Sequence, residues 1–145
     1  MTQLHGYEKI RMLRENEKMV AQQKYQGAAA EFEKNANQLY DLLRKKELVE
    51  ENYRQSLSDK SAVNTLQSYH QYLDFLMPSI ISIQRKVDVS RKEMNRLQEN
   101  VTEQYIEEKK ITKIIERKKR LFKQEETKKE SMLMDEVSIR NYIEK

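Results

Sequence analysis

The sequence has no cysteine and no tryptophan, and only one proline and two glycines in 145 residues. Without cysteine there are no disulfides, thiolate metal sites or thiol nucleophiles, and the redox compartment stays undecided. So few turn formers cannot supply the corners of a sandwich, a barrel or an α/β sheet. Long apolar runs are missing as well. The most apolar stretch, residues 75–83, falls far short of the ~18 residues needed to span a bilayer. Residues 1–10 hold no apolar core of a signal peptide. These absences predict an all-α, soluble, cytoplasmic chain.

Charge is what the sequence has in abundance, at 36% of residues against roughly 25% in an ordinary domain. The 28 basic and 24 acidic side chains nearly cancel to a net +4, so their distribution carries the information. Residues 61–84 contain a single charge, Asp74. Residues 109–123 contain eight basic side chains against Glu116 alone.

The apolar pattern is heptad. Alternating steps of three and four from Leu66 through Tyr69, Leu73, Leu76 and Ile80 to Ile143 land on apolar residues at 16 of 23 positions, in a chain that is 37% hydrophobic. Such a stripe predicts one long coiled-coil helix. All but one of its polar breaks fall from Gln104 onward, so the stripe loosens late. A second stripe through Tyr25, Ala29, Phe32, Ala36, Leu39, Leu43, Lys46, Glu50, Tyr53 and Leu57 predicts an earlier helix. Ahead of Tyr25, the residues Ile10, Leu13, Met19 and Val20 predict a stripe displaced by a stutter. Glu50 and Arg54 are spaced for a supporting ion pair.

Ser56, Ser58, Asp59 and Ser61 form the one cluster of small polar residues, which favours a turn, with Ser61 suited to cap the second helix. The reading is a single coiled-coil domain over 1–145: a helix at about 7–57, a turn at 58–61 and a helix at about 62–143. A bend is expected near residues 74–78, where Pro78 removes a backbone hydrogen bond without shifting the heptad phase. A short connection makes the pair an antiparallel hairpin. With the turn near 59, residue i faces roughly 119 − i. Tyr7 then faces about position 112, and the longer second helix overhangs by about 45 Å at 1.5 Å per residue.

Two surfaces stand out. Near the turn, Tyr72, Phe75, Met77 and Ile81 lie beside the stripe rather than in it; they fit a protein-docking face, or a thicker core or self-association. Leu42, Val49 and Tyr53 could complete that patch from the first helix. The run 109–123 fits a solvated face, a site for nucleic acid or anionic lipid, or a site for an acidic protein. Catalysis finds no support. His5 is near the terminus, and His70 with Asp74 at a spacing of four is an ordinary surface arrangement. No phosphate loop, HExxH spacing or nucleophile elbow is present. No cofactor or metal site is expected.

Several short patterns, in order, resemble the FliJ family of the bacterial flagellar type III export apparatus. They are Tyr7-x-x-Ile10-x-x-Leu13-Arg14, Tyr53-Arg54-x-x-Leu57, Tyr69-x-Gln71-Tyr72-Leu73-x-x-Leu76-x-x-x-Ile80, and Glu130 followed by Met134-Asp135-Glu136. The resemblance implies a non-enzymatic antiparallel coiled coil, similar to the central stalk of rotary ATP synthases. It implies that the terminal ends enter the hexameric export ATPase, FliI, and promote its ring assembly and activity. It further implies docking of the loop-proximal part on the export gate protein FlhA, a role with export chaperones, and a place on the cytoplasmic side of the inner membrane at the flagellar base. Carried over by position, the gate-facing residues are Leu42, Val49, Tyr53, Tyr72, Leu76, Ser79 and Ile83. The ATPase-facing residues are Ile10, Leu13, Arg14, Arg117, Lys118 and Lys119. The alternative function is a basic coiled coil that binds nucleic acid or anionic membrane; a homo-oligomeric structural coiled coil is a third.

Overall fold

A computed structural model describes two α-helices, α1 (Thr2–Ser58) and α2 (Val63–Glu144), with side chains over residues 3–57 and 66–144. The expected turn at 58–61, with the Ser61 cap, lies outside the described residues except for Ser58, which ends α1. The helices, of 57 and 82 residues, pack as an antiparallel hairpin with the second longer. They form two compact units: a middle unit, Ala21–Val101, and a terminal unit, Met1–Val20 with Thr102–Lys145.

In the middle unit the core is a single seam. Leu76, Ile80, Val87 and Leu97 of α2 are buried against Ala21 and a row of half-buried residues on α1. On α2 the sequence pattern holds completely: every seam position from Leu66 to Val101 is buried or half-buried. Pro78 lies inside α2 on the exposed side.

On α1 the seam differs from the sequence expectation. Its line runs Ala21, Tyr25, Ala28, Phe32, Asn35, Leu39, Leu42, Lys46, Val49, Tyr53 and Ser56, whereas Leu43 and Leu57 are exposed. Both choices keep the heptad, but steps of four and three in the other order turn the stripe by one residue. The pattern favoured Leu43 and Leu57 for their apolarity; the helix pair instead accepts Asn35 and Ser56, because each finds a partner. Asn35 Nδ2 donates to Ser90 Oγ at 3.3 Å, and Ser90 donates back to the Lys86 carbonyl at 2.7 Å. Ser56 Oγ donates to the Tyr69 hydroxyl at 3.3 Å. A buried polar pair of this kind fixes register at some cost in stability. Replacing both Asn35 by Leu and Ser90 by Ala is expected to raise the melting temperature, since neither partner is left unsatisfied. Asn35→Ala alone should lower stability by about 1 kcal/mol.

In the terminal unit no stutter occurs. The same spacing continues through Tyr7, Arg11, Arg14 and Lys18, all half-buried, while Ile10, Leu13, Met19 and Val20 are exposed. Of these charges Lys18 faces a carboxylate of α2, Glu108, ahead of the buried Ile111 and Ile115, while Arg11 and Arg14 pair with Glu15 and Glu17 of their own helix. Lys18 and Glu108 form an ion pair there.

The facing register is also shifted. Asn35 meets Ser90 in the middle unit, and Tyr7 lies against Lys118 and Glu8 against Lys119 in the terminal unit. Residue i therefore meets about 125 − i rather than 119 − i. The midpoint between the end of α1 at Ser58 and the start of α2 at Val63 lies slightly later than residue 59. In addition, side chains lean toward their own N-terminus, so the tips that meet belong to slightly later residues on both helices. Glu50 pairs with Lys46, and Arg54 with Glu51, in place of the expected Glu50–Arg54 pair. Both helices carry long runs of good helix formers, and Gly27 interrupts one of them with nothing within 4 Å of where a Cβ would sit. Gly27→Ala is expected to add about 1 kcal/mol of stability, read as a higher melting temperature.

Candidate functional site

The middle unit carries an exposed aromatic face. Its base is the seam: Tyr53 of α1 meets Tyr69 edge-on at 6.0 Å and His70 at 5.4 Å. Three residues beyond Tyr69, Tyr72 turns outward and stacks on Phe75 at 6.4 Å with an interplanar angle of 24°. Phe75 is 71% exposed. An i,i+3 pair of this kind holds two rings side by side on one helix face. Met77 and Ile81 are also exposed, on the other flank of the seam from these rings. The only charge among these residues is Asp74.

The residues that the resemblance assigns to the gate fall into two groups. Leu76 is 3% exposed, and Leu42, Val49, Tyr53 and Ile83 are half-buried seam residues; they hold the helices together. Tyr72 and Ser79 are exposed on one side of α2, at the spacing of two helical turns, and Phe75 lies between them. The surface available to a partner is thus Tyr72, Phe75 and Ser79, with the seam group as its support.

An open groove of about 590 Å³ lies farther along the middle unit, beside Asn35 and Ser90, with Lys34, Arg85 and Lys86 against Glu31 and Glu93. Two hydrogen bonds from Arg96, at 3.0 and 2.6 Å, hold the Glu93 carboxyl below the usual carboxylate range. Mixed charge and wide opening give this groove no preference for a ligand. Among the described residues no group of His, Asp or Glu could hold a metal ion, and no helix is long and apolar enough to cross a membrane.

The terminal unit presents a different surface. Ile10 and Leu13 are exposed on α1, and Arg14, half-buried, binds Glu17 at 3.1 Å. Across from them the basic run is partly spent on the helix pair. Lys118 lies 5.7 Å over the Tyr7 ring, Lys119 pairs with Glu8 at 3.5 Å, and Lys110 pairs with Glu107 at 3.3 Å. Arg117, Arg120 and Lys123 are exposed on the outer side of α2. The ion pair of Lys18 with Glu108 is the most shielded one, with side chains 24% and 18% exposed. Lys18→Ala strands a half-buried carboxylate and is expected to cost about 1–2 kcal/mol, measured by chemical denaturation.

The free length of α2 is the overhang expected from the sequence. Every described residue from Glu116 to Glu144 is exposed, including Met132, Leu133, Val137, Ile139 and Ile143.

The family model described as Flagellar FliJ protein matches residues 5–145 of the chain. The Flagellar FliJ protein of Bacillus subtilis (strain 168) is 35% identical over 137 residues, covering 94% of this chain and 93% of that one. No solved structure matches.

Proposed function

Since the chain belongs to the FliJ family of flagellar proteins, we propose that it is a two-ended adaptor joining the hexameric export ATPase to the export gate. It is a flagellar export protein and not an enzyme, and its partners belong to the export apparatus. The observation that supports the two-ended form is the unlike chemistry of the two units. One exposes Tyr72 and Phe75 on a nearly uncharged segment; the other combines a charged seam with a basic outer face and a free helix.

A helix pair seated in a ring must be engaged repeatedly by successive subunits. Charged seams and exposed cations suit such a contact, because solvated ion pairs are individually weak and exchange readily. Ile10, Leu13, Arg14, Arg117, Lys118 and Lys119 are the residues proposed to face the ATPase. Aromatic side chains on a rigid helix suit a tighter contact, since they bury much area at little entropic cost. Tyr72 and Ser79, with Phe75 between them, are proposed to face the gate, and Leu42, Val49, Tyr53, Leu76 and Ile83 to hold that face in place. The same surfaces are proposed to meet export chaperones, at the cytoplasmic side of the inner membrane.

Adding the chain to its cognate ATPase at concentrations that permit ring assembly is expected to raise the hydrolysis rate several-fold. An unchanged rate with the ring formed would count against the ATPase half of the proposal.

A further inference from the structure

The seam of α2 outlasts its partner. Within the terminal unit, α1 reaches only as far as the cleft that Gln3 and Leu4 make with Lys118, Leu121 and Phe122. The heptad series continues through Phe122, Glu125, Lys129, Met132, Glu136, Ile139 and Ile143, and all of them are exposed. Apolar residues at that spacing, with charged ones between them, suit contact with another helix.

We propose that a second copy of this chain covers it, antiparallel, about a two-fold axis near Met132. The hairpin itself supplies the template. Its contacts pair like heptad positions: Asn35 with Ser90 and Lys18 with Glu108 in the seam, Glu8 with Lys119 on the flank. Transferred to the free helix in one consistent register, the first becomes Met132 against Met132 of the second copy. The second becomes Lys129 against Glu136 of the second copy, and the third Glu126 against Arg140 of the second copy. On the opposite flank, Lys128 comes to face Asp135 of the second copy. Every one of these charged pairs has opposite signs, and the two-fold makes each occur twice.

The reverse orientation fails on the same residues. Parallel helices would set Lys129 against Lys129 and Glu136 against Glu136. Antiparallel pairing leaves one like-charge approach, Glu125 near Glu136 of the second copy, and Lys129 stands one turn from Glu125 to offset it. The charge order along the helix, cations at 128 and 129 followed by carboxylates at 135 and 136, therefore selects a copy of itself. The pairing goes beyond the adaptor role: it covers the same helix that the ATPase would, so the two states exclude each other.

Sedimentation of the full chain alone tests this without any export partner. A monomer at low micromolar concentration should become a dimer as concentration rises. Lys129→Glu sets acid against acid at two symmetric places and should weaken the dimer at least about tenfold. Lys129→Glu combined with Glu136→Lys restores opposite charges and should return the dimer to near its original affinity. Lys129 is exposed, so the hairpin survives each change, with helicity by circular dichroism as the check. A chain that stays monomeric to several hundred micromolar, a dimer indifferent to Lys129→Glu, or a double variant that stays weak would each overturn the proposal.

Discussion

Replacing Tyr72 and Phe75 together by alanine is expected to weaken binding to the export gate protein by about 10- to 100-fold. Stimulation of the ATPase should be unchanged. The two rings are the largest exposed apolar groups on the uncharged segment and are stacked in place without a partner. Truncating them removes contact area but disturbs no seam residue, so the melting temperature should hold. Leu76→Ala forms the control. That side chain is 3% exposed, and its loss should cost about 2–4 kcal/mol of stability through the cavity it leaves. Binding lost in step with stability would mean that the aromatic face works only through the fold. Binding lost at constant stability identifies the face itself.

The second large effect belongs to the other unit. Among the described residues Ile115 is the most completely buried side chain, at 1% exposure, and it closes the seam between the charged layers and the free helix. Ile115→Asp places a carboxylate in that layer, at a cost of about 3–5 kcal/mol. A two-helix seam has no other core to absorb it. Hydrogen exchange should show loss of protection over residues 2–20 and 102–120, with residues 28–57 and 66–97 still protected. ATPase stimulation should fall several-fold while gate binding by the aromatic face persists. Simultaneous loss of both activities would show that the two surfaces are not independent.

Much of this anatomy is legible in the sequence because one seam organises it. The α2 stripe from Leu66 to Ile115 can be read residue by residue, since Leu, Ile and Val at that spacing admit only one face. The α1 stripe cannot. Ala29, Ala36 and Leu43 look as good as Ala28, Asn35 and Leu42, and the choice is made by what stands opposite. Asn35 belongs to the seam because Ser90 receives its amide, and Lys18 because Glu108 of α2 receives its ammonium. Hydrophobicity counted along one helix contains no term for such partners. The docking surface shows the same limit. The sequence picks out Tyr72 and Leu76 together, but they stand on different faces of α2, and only packing against α1 shows that Leu76 is already occupied.

The central claim is that one chain engages two partners at once. The direct measurement immobilises the cytoplasmic part of the gate protein and asks whether the ATPase is retained when the chain is added. Retention that depends on the chain, and is lost with Tyr72→Ala and Phe75→Ala, is the expected result. If the ATPase instead releases the chain from the gate, the two surfaces compete for one site and the account is wrong.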